Sequence, residues 1–155
     1  WDRHGRLLAK ALREVLVPTG PFVIDLDADP ALPFEEYTVE EHRRGGLWEW
    51  QPACVSVASL GGGWTTYVTG HSFRESLAER DVLNANALDY LFERDYLIPD
   101  KWIALGRIYF WGTIYRYGER LCVRYLRFNA GVWAQNLAPL DGEFDADGVS
   151  AVRIP

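Results

Sequence analysis

The chain has 155 residues and a net charge of −6, values typical of one globular domain, here residues 1–155, that can bury a core of its own. The negative charge argues against general binding of nucleic acids, because contacts to phosphates need clustered Lys and Arg side chains. No apolar run approaches the roughly 18 residues of a membrane-spanning helix, and the aromatic share of 14% predicts either a bulky core or an adhesive surface.

The first half of the chain predicts short elements separated by turns rich in Pro and Gly. The helical spacing of Leu8, Leu12 and Val15 predicts a first helix. Thr38 and Glu41 have the spacing of a capping box, which predicts a short second helix. The predicted elements are a helix (6–16), a strand (22–26), the helix that begins near Thr38, and three strands (47–51, 53–60 and 64–69), of which the last two form a hairpin.

The middle of the chain predicts two further helices ahead of a region of strands. Ser72 and Glu75 have the spacing of another capping box, for a helix that continues to about Arg80. Asn84 or Asn86 caps the next helix, because Asn is a preferred N-cap residue. That helix is predicted to continue to about Tyr96.

The clearest prediction is a three-stranded meander near the C-terminus. Its strands cover 107–116, 119–128 and 132–138, and the two-residue loop Tyr117-Gly118 joins the first two. Strands come in hairpins here and not in βαβ units, so the predicted fold is α+β. We expect an antiparallel sheet of about five to seven strands, built from hairpins and this meander and packed by two or three helices.

The length of that loop sets the predicted register of the first two meander strands. Arg116 would face Glu119, and each step back along the strands would pair the next two residues. One face would be apolar and would meet the core. Its predicted pairs are Ile114 with Leu121, Gly112 with Val123, and Phe110 with Tyr125. The pairs predicted on the other face are Tyr115 with Arg120, Thr113 with Cys122, Trp111 with Arg124, and Tyr109 with Leu126, joined by Ala134 and Asn136 of the third strand.

The second face is predicted to be a basic, aromatic strip in an acidic protein. Five Arg and one Glu fall between Arg107 and Arg127, a local charge of +4. Arg over Trp or Tyr is a cation–π pair worth about 0.5–2 kcal/mol, and these residue types dominate binding hot spots. The alternative is a cross-strand packing ladder, covered by a helix or by the acidic segment 141–147. The predicted ligand- or partner-binding residues are Tyr109, Trp111, Tyr115, Arg120, Arg124 and Asn136.

Acidic residues and one histidine suggest a catalytic site. Asp25 and Asp27 alternate at the end of a predicted strand, where carboxylates can hold Mg²⁺ in hydrolases. With His71 they would form the catalytic residues of a metal-dependent or acid–base hydrolase. The alternative is a solvated strand end that turns at Asp29.

A second acidic group resembles the start of a calcium-binding loop. Glu143, Asp145 and Asp147 alternate ahead of a glycine, as oxygen ligands of Ca²⁺ do. The usual loop begins with Asp and closes with Glu, whereas this one begins with Glu143 and closes at Ile154. A solvated loop is the favoured interpretation, so no metal is expected.

The two cysteines, Cys54 and Cys122, lack the spacing of a metal or redox motif. They are predicted to be buried free thiols, because free Cys behaves as a small hydrophobe. A disulfide and a functional thiol are the alternatives.

The sequence between residues 83 and 140 resembles a family of uncharacterised bacterial proteins. The segments that carry the resemblance are LNANALDYL (83–91), LIP (97–99), KW (101–102), FWGTIYR (110–116) and LCVRYL (121–126). The resemblance implies a bacterial origin and a real structural module, and it supplies no catalytic residues. We expect a cytoplasmic protein, although the chain begins at Trp1 and removal of a leader stays open.

Three hypotheses of function follow. The favoured one is a non-catalytic interaction module that binds a protein partner or a small planar or anionic ligand through the aromatic/Arg sheet face. The alternatives are the hydrolase and a structural subunit of a larger assembly, in which the aromatics would be interface residues. An enzyme is not favoured, no cofactor is expected, and the oligomeric state stays open.

Overall fold

The computed structural model describes residues 18–59, 67–145 and 148–155. These ranges contain eleven β-strands and two α-helices. Neither helix is long and apolar enough to cross a membrane. The predicted helix over 6–16 lies outside these ranges. The strands are β1 (Val23–Asp25), β2 (Thr38–His42), β3 (Leu47–Glu49), β4 (Val55–Ser59), β5 (Tyr67–Thr69), β6 (Ile108–Tyr109), β7 (Thr113–Tyr117), β8 (Arg120–Asn129), β9 (Val132–Pro139), β10 (Glu143–Asp145) and β11 (Val149–Arg153). The helices are α1 (Gly70–Ser76) and α2 (Ala85–Glu93), and short 3-10 helices lie at Pro52–Cys54, Asp95–Leu97 and Asp100–Ala104.

The predicted short helix at Thr38 is wrong, because this segment is strand β2. β2 pairs antiparallel with β7, and the Arg116 guanidinium donates two hydrogen bonds to the Glu40 carboxylate at 2.8 and 3.0 Å. Thr and Val at the start of the segment suit a pleated strand better than a helix. Pairing with a distant strand therefore prevails over the local capping signal.

The described parts of the hairpin predicted between residues 53–60 and 64–69, residues 53–59 and 67–69, do not pair with each other. β4 pairs with β11, whereas β5 pairs with β10 in a separate two-stranded ribbon. Both partners come from the last residues of the chain, where no strand was predicted. Long-range pairings of this kind leave no local signal in the sequence.

The two helix starts have different outcomes. Asn84, one of the two residues predicted as the cap, is the N-cap of α2, and its side-chain oxygen accepts the N–H groups of Asn86 and Ala87. For α1 the predicted cap is wrong. Thr69 and not Ser72 takes the N-cap position, and the Thr69 hydroxyl accepts the Ser72 N–H at 3.2 Å.

The main sheet confirms an α+β fold but corrects its details. The predicted first meander strand is broken into β6 and β7, which pair with different parts of β8. β9 pairs along the opposite edge of β8, so the antiparallel β7–β8–β9 core of the meander is present. β11 then joins β6 in parallel, and the sheet is mixed, not purely antiparallel.

Both faces of the main sheet are covered. On the first, called the helix face, α2 packs over the sheet, and on the second, called the ribbon face, α1 and the β5–β10 ribbon do so. Buried residues of the helix face include Leu88, Leu91, Trp102, Ile108, Phe110 and Leu126. Buried residues of the ribbon face include Phe73, Tyr109, Trp111, Val123, Tyr125 and Phe144. Many of the aromatic residues therefore build two cores on either side of one sheet.

The break between β6 and β7 depends on Gly112. Its N–H donates to the Leu83 C=O at 2.9 Å, which brings the strand against the start of α2. A Cβ at this position would lie 2.8 Å from the Cα, the Cβ and the backbone N of Asn84. Contacts that short force either the strand or the helix to move.

Replacement of Gly112 by alanine is therefore expected to lower the free energy of unfolding by about 2 kcal/mol, measured by urea denaturation. Gly106→Ala is the matched control, because no atom lies within 4 Å of a Cβ built there. Its free energy of unfolding should stay unchanged or rise slightly, since alanine restricts the unfolded chain. Equal losses in the two variants would contradict this account of Gly112.

Candidate functional site

The predicted register of the first hairpin is wrong, and a break at Gly112 places three aromatics, Tyr109, Phe110 and Trp111, on the faces opposite to those predicted. The tight loop is Gly118-Glu119, with Gly118 at φ +59°, and Tyr117 pairs with Arg120. A shift by two residues keeps side chains on their faces, because their period is two. The break at Gly112 then changes the parity, and Tyr109 pairs with Tyr125.

Trp111 consequently lies on the ribbon face, opposite to the face of Arg124. Its indole stacks on the Phe73 ring with 5.3 Å between ring centroids, and it is 2% exposed. Tyr109 packs beside it at 5.7 Å. The predicted cation–π pair between Trp111 and Arg124 is therefore not formed, and Trp111 contributes to the core.

Arg124 is buried on the helix face, beneath α2. Its guanidinium, 5% exposed, donates to the Asp89 carboxylate at 2.7 Å and to the Gln135 side chain at 3.0 Å. Burial alone would lower the pKa of Arg124, but the hydrogen bond and charge of Asp89 outweigh it and raise the pKa. Arg124 is thus a buried cation neutralised by Asp89. The helix α2 covers this part of the strip, as the packing alternative predicted.

The other predicted binding residues lie apart from one another. Tyr115 is fully buried, its hydroxyl donates to the Ala31 C=O at 2.9 Å, and burial raises its pKa. Arg120 is exposed at the start of β8. Asn136 is exposed on β9 and shares the ribbon face with Tyr125, its cross-strand partner.

Asn136 has a structural role at the edge of the sheet. Within the described ranges no strand pairs with the outer edge of β9. The Arg124 C=O accepts the N–H of Phe110, the residue after β6, so the backbone N–H and C=O of its cross-strand partner Leu137 point outward. The Asn136 side-chain oxygen accepts the outward Leu137 N–H at 2.8 Å. Asn136 thereby caps part of an edge that could otherwise pair with another chain.

An open cleft of about 280 Å³ lies where the ribbon face reaches solvent. Two walls form it, one from the main sheet and the loop before β6, the other from the β5–β10 ribbon. Its lining residues are Tyr67, Gly106, Arg107, Tyr109, Arg127, Glu143, Asp145 and Gly148. Of the predicted binding residues Tyr109 lines it, and of the predicted metal ligands Glu143 and Asp145 do. This volume lies just below the about 300–1,000 Å³ of sites for drug-sized ligands, so it suits a smaller molecule.

The floor of the cleft is a packed aromatic and arginine layer. The Arg107 guanidinium lies 4.9 Å from the centre of the Tyr125 ring and interacts with the Tyr109 hydroxyl. Burial raises the pKa of Tyr109, and Arg107 offsets only part of that rise. The pKa of Arg107 is raised overall. Burial lowers it, but interactions with Tyr109, Tyr125 and Asp145 together raise it by more. The phenol therefore stays neutral and the guanidinium charged at neutral pH.

The arginines of the cleft differ from most others in the described part of the chain. Seven arginines form ion pairs with carboxylates: Arg43, Arg44, Arg74, Arg94, Arg116, Arg124 and Arg153. Arg107 and Arg127 have no such partner among the residues described, and both line one cleft. Two guanidinium groups that line one cleft and form no such ion pair within the described ranges can hold an anion between them.

The predicted hydrolase residues take separate structural roles. The Asp25 carboxylate accepts the N–H groups of Asp27 and Ala28, and the Asp27 carboxylate accepts that of Gly46. His71, at the start of α1, contacts the Asp141 carboxylate at 3.1 Å. The two aspartates thus shape a turn, and His71 has its own acidic partner elsewhere.

Metal-binding side chains do not cluster within the described ranges. No cluster of three or more His, Cys, Asp or Glu side chains there is arranged to hold a metal ion. Asp147, the third residue of the predicted calcium loop, lies outside the described residues. Cys54 and Cys122 are both free, the first half-buried and the second buried, and burial raises the pKa of the Cys122 thiol.

A scan of protein-family models and searches of curated proteins and of solved structures found no match to this chain. The resemblance over residues 83–140 therefore stays a prediction. The cleft was missed in the sequence because Tyr67 and the acidic ribbon come from distant segments. Its one local signal was the excess of arginines between Arg107 and Arg127, of which these two line the cleft.

Proposed function

We propose that this protein is a non-catalytic binding module that holds a small, planar, anionic ligand in the cleft between the main sheet and the β5–β10 ribbon. The observation that carries the proposal is the pair of arginines, Arg107 and Arg127, that line the cleft without carboxylate partners among the described residues. A guanidinium presents a planar fork of donors that matches a carboxylate or a phosphate. Tyr67, 55% exposed at the rim, offers a ring for a planar group.

The site proposed here differs in its residues from the predicted aromatic/Arg face. The arginines are Arg107 and Arg127 in place of Arg120 and Arg124, while Tyr109 is kept. A concave site of this size favours a small ligand over a protein partner, which usually covers a larger and flatter area.

The alternative functions have less support. A hydrolase would need Asp25, Asp27 and His71 to act together, and each of these side chains has a different structural partner. A structural subunit was suggested by the many aromatics, and much of that content is now explained by the two cores.

Titration calorimetry with benzoate as the probe tests the proposal. Benzoate is planar and carries one carboxylate, and its affinity for the protein is expected to fall by about tenfold in Arg127→Gln, because a charge-assisted hydrogen bond is lost. Affinity should also fall as salt is added, as it does for exposed charges. Arg127 is exposed, so this variant is expected to fold normally.

Arg120→Gln is the matched control. It removes the same charge from an exposed position of the same strand, outside the cleft. Benzoate affinity should then change by less than about twofold, which is the range of a screened long-range effect. An equal loss in both variants would show that benzoate senses only the net charge, and no binding to the native protein would refute the proposal.

A further inference from the structure

Three aromatic side chains form a cluster on the surface, where the turn before β2 meets the end of β7. The ring centroids of Tyr37 and Tyr117 lie 5.0 Å apart, and those of Phe34 and Tyr37 lie 5.9 Å apart. Phe34 is 62% exposed and Tyr117 is 50% exposed. We call these three residues the aromatic patch, and contiguous exposed apolar surface of this kind marks interaction sites.

Local structure holds the patch in place. The Tyr37 N–H donates to the Phe34 C=O at 3.1 Å, which closes a turn that brings these two rings together. Thr38 pairs with Arg116 across β2 and β7, so the residues next to them, Tyr37 and Tyr117, meet at the end of the two strands. The rings are therefore fixed by backbone pairing, and they are displayed to solvent and not folded into either core.

Acidic side chains surround the aromatic patch. Glu35 and Glu36 lie within the turn that carries it, Glu119 lies two residues after Tyr117, and all three are exposed. Burial is the largest cause of the raised pKa of Tyr37, and the charge of Glu36 adds to it, so this carboxylate is close to the ring. None of the three glutamates forms an ion pair in the described part of the chain.

Guanidinium groups cover other rings of this protein but not those of the patch. Arg94 lies over the Tyr90 ring at 4.0 Å, for example. Among the residues described, no arginine lies over a ring of the patch, although Arg120 is the cross-strand partner of Tyr117. Three carboxylates beside one guanidinium leave this aromatic surface negative, and both features attract a cation.

We propose that the aromatic patch docks an arginine-rich segment of a protein partner, with guanidinium groups stacked on Tyr37 and Tyr117 and paired with Glu36 and Glu119. Arginine suits the patch better than lysine, because its planar group stacks on aromatic faces and matches a carboxylate with two N–H groups. Phosphate-bearing partners are disfavoured, since the carboxylates would repel them. No residue of the patch lines the cleft, so this inference is independent of the proposed function.

Two peptides of equal length test the inference by calorimetry at low salt, namely acetyl-tetra-arginine amide and acetyl-tetra-citrulline amide. Citrulline keeps the length and the planar end group of arginine but lacks its charge. The native protein is expected to bind tetra-arginine about tenfold more tightly, because cation–π contacts and charge-assisted hydrogen bonds both need the charge. Tyr117→Leu keeps an apolar side chain but removes the ring, and Glu119→Gln removes one carboxylate. Each should weaken binding of tetra-arginine by about fivefold.

Glu79→Gln is the matched control, because it removes the same charge from an exposed position outside the patch, after α1. Its affinity for tetra-arginine should change by less than about twofold. Equal losses in Glu119→Gln and Glu79→Gln would show that the peptide senses only the net charge, and the inference would be wrong. Equal affinities of the native protein for the two peptides, no binding of tetra-arginine, or an unchanged affinity in Tyr117→Leu would also overturn it. Thermal melting of each variant confirms that it is folded.

Discussion

Asn84→Ala is expected to lower the free energy of unfolding by about 3 kcal/mol, because one buried side chain ties three segments together. Its oxygen caps α2, and its amide nitrogen donates to the Leu26 C=O at 3.0 Å and the Arg43 C=O at 2.9 Å. Losing the cap contributes about 1 kcal/mol, and each carbonyl left without a donor contributes about 1 kcal/mol more. The melting temperature should fall by about 6–12 °C, as followed by circular dichroism.

Asn86→Ala is the matched control for this prediction. Its amide also donates to two backbone C=O groups, of Asp25 and Ala28, but at exposed sites where water can replace it. The loss should be below about 1 kcal/mol. Asn84→Ser separates the two roles, since Ser can cap the helix but cannot reach both carbonyls, and it should recover about 1 kcal/mol. If the two alanine variants lose the same stability, burial of the Asn84 network is not what matters.

Asp89→Ala is expected to destabilise the protein by about 3 kcal/mol, because it leaves the buried Arg124 without a counterion. The Arg124 side chain is 5% exposed and that of Asp89 is 31% exposed, so the two partners are not equivalent. Water can hydrate Asp89 after its partner is removed but cannot hydrate Arg124. Arg124→Met should therefore lower the free energy of unfolding by only about 1 kcal/mol, because methionine fills much of the same buried space.

The double variant Asp89→Ala/Arg124→Met makes the test sharper. It removes the orphaned charge, and its free energy of unfolding should lie about 1 kcal/mol below that of the native protein. The coupling energy from the four proteins is then about 2–3 kcal/mol, measured by urea denaturation. Additive losses, or a larger loss in Arg124→Met than in Asp89→Ala, would contradict the assignment of Arg124 as a buried cation neutralised by Asp89.

These two predictions concern residues on which the sequence was informative to different degrees. The capping role of Asn84 was readable locally, because a cap depends on the residues within one turn of it. The carbonyls that its amide binds lie 41 and 58 positions away in the chain, so no local pattern could indicate them. Arg124 was identified as unusual, but its partner Asp89 comes from a helix and not from the neighbouring strand.

The candidate cleft, too, was indicated only in part by the sequence. The sequence indicated that arginines and aromatics concentrate between residues 107 and 127, and Tyr109 does line the cleft. Which arginines remain without carboxylate partners depends on the folded arrangement of β2, α2 and the ribbon. Arg116 and Arg124 belong to the same cationic stretch, yet Glu40 and Asp89 neutralise them.

By itself, the sequence determined the α+β class, the strand near residue 24, the cap and position of α2, and the consecutive β7, β8 and β9. These features rest on contacts between neighbours in the chain, namely side-chain periodicity, helix caps and turn glycines. The tertiary structure decided that residues 38–42 form a strand, that β11 joins β6 in parallel, and that the register breaks at Gly112. Each of these depends on a partner far away in sequence, because a strand edge is paired by whichever segment the fold brings beside it.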